Sequence, residues 1–213
     1  MIDIGKIAQA NRLRALAVIG SRARGDSTRY SDWDLIGISD KSGFCRFSEN
    51  GFIVELHIVK NIADWKTKPA WWYALSYLDV KIDDGTLSTL PTLLETWRRS
   101  YDANVDEVRR NRDWLEAAVR KLRGSKSGFG TAFLLATNLW EILSGAFIAS
   151  NMPVPANSDM FRLAPEIVGR QNFEMLVGGD LPERRRIFLE MCRKTIRRHN
   201  QRLNGMARKL AAR

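Results

Sequence analysis

The chain has 213 residues, 45% hydrophobic and 27% charged, a length and composition that bury one large core or two small ones and exclude a disordered or fibrous protein. No apolar run reaches the ~18 residues a membrane span needs, and Met1–Lys6 lacks the basic-then-apolar layout of a secretory leader, so a cytoplasmic protein without a membrane partner is expected. The net charge of +10 is uneven: residues 1–92 carry 12 Lys and Arg against 11 acids, and residues 93–213 carry 22 against 13, a surplus that attracts phosphate-bearing or acidic partners.

Ile4–Arg14 has its apolar residues at helical spacing. Ala15–Gly20 is a short apolar run ending in Gly-Ser, which reads as a buried strand, and Ser21–Asp26 follows as one or two helical turns. Trp33–Ser39 reads as a second strand. Gly43–Phe47 reads as a short edge strand and Ser48–Gly51 as a turn. Phe52–Val59, rich in β-branched residues, is a third long strand. Helices around 62–66 and 70–77 and a strand at 78–82 are expected to complete this part.

From Leu90 the pattern changes. Thr92–Leu122 reads as one long charged helix, Gly124–Gly130 as a linker, and Thr131–Ser150 as a broadly apolar helix. Asn151–Asp159 is a Pro- and Asn-containing loop. Short helices are expected at 160–168 and 172–177, and one long basic helix over 182–212, with Asp180 as its N-cap and Pro182 in its first turn. Cys45 and Cys192 lack zinc or redox spacing and read as reduced, structural thiols. The chain thus divides into a small α/β domain and a helical domain, with the boundary near 92.

The chemistry concentrates in the first domain. Asp32 and Asp34 share one face of the second strand because strand side chains alternate. Gly20 lets backbone approach a phosphate, Ser21 adds a hydroxyl, and Arg22 and Arg24 supply cations. Paired carboxylates beside such a turn suit Mg²⁺ and phosphate. Glu55 stands in the middle of the third strand with Ile53 and His57 on its face, where it can complete a two-metal site or accept a proton.

Gly20-Ser21, ten intervening residues and Asp32-Trp33-Asp34 resemble the signature of the nucleotidyltransferase superfamily to which DNA polymerase β belongs. The fuller form, Gly20–Gly25 with Ser31–Leu35, is similar to the stand-alone bacterial and the aminoglycoside nucleotidyltransferases. The resemblance covers residues 10–60 well and 60–92 loosely. It implies an α+β protein: a small mixed β-sheet nucleotidyltransferase domain, 1–92, followed by an all-α helical-bundle domain, 93–213. It also implies Asp32, Asp34 and Glu55 as catalytic and metal-binding residues, two Mg²⁺ ions, and an NTP substrate, ATP first. A nucleoside monophosphate would pass to an acceptor hydroxyl with release of pyrophosphate.

Residues 148–159 more faintly resemble the helical domain of the antibiotic-modifying members. There that domain supplies part of the acceptor pocket, and a homodimer can share it. Glu141, on the apolar helix, is the acceptor-contact candidate; a structural role is the alternative. The acceptor itself stays open among a small hydroxylated molecule, a protein side chain and an RNA end. Two rival readings also stay open: a non-catalytic nucleotide-binding module, and a nucleic-acid or protein partner bound through the basic C-terminal half alone.

Overall fold

The run Ala15–Ile19 forms β1, buried at every position, and a sheet assembles around it. The computed structural model describes residues 2–211. Five strands lie in the order β3-β4-β2-β1-β5, with β2 at Trp33–Ile38, β3 at Gly43–Glu49, β4 at Phe52–Val59 and β5 at Asp79–Ile82. β2 and β4 are parallel and every other pairing is antiparallel, so the sheet is mixed. The α+β class holds, with the sheet first and helices after it.

Alternation sorts the strands into two faces. Leu16, Val18, Leu35, Val54 and Leu56 form one core with Ile7 and Ala8 of α1, Ile4–Ala10. α1 ends earlier than its apolar spacing suggests, because Arg12 takes a positive φ and turns the chain into β1. The opposite face carries Ala17, Ile19, Ile36, Ile38 and Val59, all buried, and then the carboxylates. Short 3-10 turns at Ile62–Thr67, Pro69–Trp71 and Ala74–Ser76 replace the two expected helices. Pro69 stops the first, and Trp71 of the second packs edge-on against His57 at 4.3 Å.

The hairpin of β3 and β4 is tighter than expected. β3 runs on to Glu49, and Asn50-Gly51, both at positive φ, close it as a two-residue turn.

The structure separates two units, residues 1–100 and 101–213, later than the composition shift at 92. The reason is α3, Leu90–Arg99, which packs on the first unit: Trp97 lies 5.9 Å from Trp72, and Arg98 donates to the Trp72 carbonyl. The long charged helix expected over 92–122 is therefore two. Ser100 caps the end of α3, and Asn104 accepts from Glu107 N–H at the start of α4, Val105–Gly124.

The second unit holds α4 to α9. α5, Gly128–Thr137, begins earlier than expected because Ser127 caps it through Gly130 N–H. Asn138 then splits the apolar helix. Its side chain donates to the Leu134 carbonyl and accepts from Trp114 Nε1, and α6, Leu139–Ala149, leaves bent by 44°. Among the described residues no single helix is long and apolar enough to cross a membrane, although this bent pair reaches the required length and hydropathy together. α7 (Asn157–Val168) and α8 (Arg170–Gly178) follow, and α9, Leu181–Ala211, packs along α4, α5, α6 and α8. Both cysteines are free, and burial pushes the Cys192 thiol up to about 12, which keeps it unreactive.

Candidate active site

The site grows from the point where β1 ends. Ile19 pairs with Asp34 across the antiparallel β1–β2 ladder, so the next residue, Gly20, lies against that carboxylate. Gly20 has φ +68°, and a Cβ there would stand 2.5 Å from Asp34 Oδ2. Only glycine fills this position without displacing the acid. Gly20 opens α2, Gly20–Arg24, which Gly25 closes in the left-handed region by donating to the Ser21 carbonyl. Ser21 is half-buried at the start of that turn.

On the other side of β2, Asp34 is the parallel partner of Glu55 on β4. Paired residues in adjacent strands share a face and lie ~5 Å apart along the ladder. Asp34 and Glu55 thus belong to one face. Asp32 stands one residue before β2 begins. Asp34 feels both other acids: burial raises its carboxyl above the ordinary range, and Glu55 and then Asp32 raise it further, against the opposing charges of Arg24 and Arg22.

The two arginines have different positions. Arg22 Nε donates to the Asp32 carbonyl at 3.0 Å, and its Nη2 donates to the Ser31 carbonyl. Its guanidinium stacks on Trp33 at 4.3 Å and lies 5.3 Å from Phe52, residues of the face opposite Asp34. Arg22, expected at the phosphates, here braces the segment that carries both aspartates. Arg24 has a buried side chain, 3.2 Å from Asp26 Oδ2 and beside the Tyr77 ring.

Sequence reasoning missed Arg46. It is the cross-strand partner of Glu55 on β3, with Nε 3.4 Å from Oε1 and its side chain 58% exposed. A pair this wet contributes well under ~1 kcal/mol and does not lock the carboxylate. The two-residue Asn50-Gly51 turn was the signal that would have set this register. Farther along the same face, His57 lies between Phe44 and Trp71, and burial, then Lys68, pushes it down to about 4, so it is neutral at pH 7. Of the aromatic run 71–73, Trp72 and Tyr73 are core, while Trp71 is half-buried on this face.

Glu141 belongs to the second unit and to a different network. Asn111 Nδ2 on α4 donates to the Glu141 carbonyl at 3.0 Å and reaches its Oε2 at 3.4 Å. Asn111 Oδ1 pairs with Nε2 of fully buried His199 at 2.9 Å. These contacts tie Glu141 to the Asn111–His199 network within the second unit.

Mg²⁺ prefers oxygen ligands and commonly takes one or two carboxylates together with phosphate oxygens and water. Asp32, Asp34 and Glu55 are an all-oxygen set in a repulsive field that a cation would relieve. Among the described residues no group of three or more His, Cys, Asp or Glu is drawn together closely enough to enclose an ion alone. The acids are thus of the donor type Mg²⁺ takes, but they do not form an all-protein cage.

No protein-family model matches the chain. No curated protein matches it either. Among solved structures, a nucleotidyltransferase-like protein from Exiguobacterium sibiricum is similar over 91% of this chain and 71% of its own, at 12% identity and a TM-score of 0.43.

Proposed function

We propose that the first unit transfers a nucleoside monophosphate from an NTP to an acceptor hydroxyl, releasing pyrophosphate. The observation that carries this reading is the pairing of Asp34 with Glu55 across β2 and β4, with Gly20 against Asp34 on the other side. Asp34, half-buried and facing the charges of Glu55 and Asp32, gains nothing for stability; that repulsion makes sense as a seat for positive charge.

Asp32 and Asp34 are the residues that would hold Mg²⁺, with Glu55 beside them. When bound, Mg²⁺ supplies positive charge that neutralises the triphosphate and the departing pyrophosphate. The chain's own groups do the rest. Gly20 and Ser21 offer backbone and hydroxyl donors to phosphate oxygens, and Arg24 adds positive charge nearby. Glu55 takes the proton of the acceptor hydroxyl as that oxygen bonds to the α-phosphorus. The bond from the α-phosphorus to the bridging oxygen breaks, and pyrophosphate leaves with the electron pair. Arg22 positions the aspartates by fixing the carbonyls of Ser31 and Asp32.

The test is pyrophosphate release from each of the four NTPs with Mg²⁺ and a panel of acceptors: aminoglycosides, hydroxyl-bearing peptides and RNA ends. Acceptor-dependent release that Asp32→Asn abolishes is expected. Tight nucleotide binding with no release from any pair would replace transfer by simple binding.

A further inference from the structure

We infer that the acceptor is a nucleotide, seated on a shelf of rings beside Glu55, an inference that rests on the transfer reading. The shelf lies on the face of the sheet that carries Asp34 and Glu55. Phe44 on β3 is the cross-strand partner of His57 on β4, as Arg46 is of Glu55, so all four side chains belong to that face. The Phe44 and His57 rings lie 4.6 Å apart, and Trp71 meets His57 edge-on at 4.3 Å. Phe44 is 54% exposed, and Trp71 is half-buried.

The order of the strands puts this shelf on the acceptor's side. Gly20, which offers donors to phosphate in the transfer reading, follows β1. Asp34 stands on β2, Glu55 on β4 and Phe44 on β3, and these strands are successive neighbours. The triphosphate therefore belongs to one end of the row. The rings stand at the other end, past the carboxylate that takes the acceptor's proton. Phe44 and His57 lie two residues along their strands from Arg46 and Glu55, roughly 7 Å, a span that one nucleoside bridges.

Ring area and charge together choose the acceptor. Arg46 is engaged by Glu55 in a weak, exposed pair, which leaves its guanidinium able to take an anion. Lys68 lies over the Trp65 ring at 5.1 Å, and Trp65 lies 5.4 Å from Trp71, so a second cation borders the shelf. A nucleotide uses every group: its base lies on the exposed rings, its phosphate on Arg46 and a ribose hydroxyl at Glu55. A protein hydroxyl brings no anion of its own for Arg46. A polycationic sugar is repelled by Arg46 and Lys68 and has no aromatic face to stack. The nucleotide is either free or the end of an RNA strand, which present the same chemistry.

The test is a ligand-observed NMR titration of the full chain without NTP or Mg²⁺, so that a failure of transfer and a failure of acceptor binding are read separately. The probes are AMP, adenosine, which lacks the phosphate, and ribose 5-phosphate, which lacks the base. AMP should bind about tenfold more tightly than either. Phe44→Ala should weaken AMP and adenosine about tenfold and leave ribose 5-phosphate unchanged. Arg46→Ala should weaken AMP and ribose 5-phosphate about tenfold and leave adenosine unchanged, and Arg46→Lys should recover part of that loss. Both positions are exposed, so melting temperatures should hold. A trinucleotide of adenosine that binds more tightly than AMP assigns the shelf to a strand end, and a weaker one assigns it to the free nucleotide. No binding of AMP, or an AMP affinity that neither Phe44→Ala nor Arg46→Ala moves, would overturn the proposal. So would tighter binding of N-acetyltyrosinamide than of AMP, which would mark the shelf as the seat of a protein acceptor.

Discussion

Gly20→Ala isolates the contact on which the candidate site is built, and the structure supplies its own control. Gly20 and Gly25 both sit at positive φ, +68° and +84°. Alanine in the left-handed region costs about 1–2 kcal/mol at either position. For a unit of this size that lowers the melting temperature by roughly 4–8 °C per kcal/mol. The two differ in what the new methyl meets. At Gly25 nothing lies within 4 Å; at Gly20 Asp34 Oδ2 lies at 2.5 Å, against an ordinary contact that begins near 3.4 Å. Asp34 must therefore retreat by nearly an ångström, and a misplacement of about 1 Å at a reacting centre costs on the order of 100-fold in turnover. Thermal melts and pyrophosphate release measured on both variants check this. Both should melt earlier, and only Gly20→Ala should lose about 100-fold in rate. Equal activity in the two variants would refute the argued contact between Gly20 and Asp34.

Arg22→Ala removes two hydrogen bonds to carbonyls and two ring contacts, and should destabilise the first unit by about 2–3 kcal/mol in urea melts; Arg22→Lys, which cannot fork to both carbonyls, should recover only part of that. His199 is held down at about 4 by burial, and then by Arg202 and Arg112, against 6.5 unfolded. The folded state therefore binds fewer protons: its contribution is complete above pH 6.5 and is lost as pH falls toward 4, about 3 kcal/mol in all. Hydrogen exchange of second-unit amides should show this acid weakening, and His199→Gln should blunt it. Gly145→Ala would set a methyl 2.4 Å from Asn111 Oδ1 and 3.0 Å from Thr195, so denaturant melts should show a loss of about 1–3 kcal/mol in the second unit.

The candidate site was legible in part, because part of its information is local. Alternation groups the side chains within 33–38 and within 52–59; that Asp34 and Glu55 share a face follows from the β2–β4 register, and Asp32 stands before the strand. The β3–β4 register was legible too, since Asn50-Gly51 fits a two-residue hairpin turn that pairs 46 with 55; placing the turn over 48–51 hid Arg46. The helix breaks at 100–104 and 138 also had signals, Asn104 and Asn138, but asparagine inside a charged or apolar run is easily absorbed into one helical period. Other features were not recoverable. His199 lies within an arginine-rich run yet is fully buried, because its partner Asn111 is distant in sequence. Arg22 belongs to a motif that suggests phosphate, and only the stacking on Trp33 and Phe52 reveals the brace.

The central claim is that Asp34, crowded by Glu55 and Asp32, holds the charge that nucleotidyl transfer requires. Its most direct test is transfer of label from an α-labelled NTP, in Mg²⁺, by the wild-type chain and by Asp34→Asn. The account predicts labelled acceptor with the wild type and a loss of at least about 1,000-fold in Asp34→Asn. The variant should melt no earlier than the wild type, because the substitution removes a charge the fold disfavours. Undiminished transfer by a folded Asp34→Asn would contradict it.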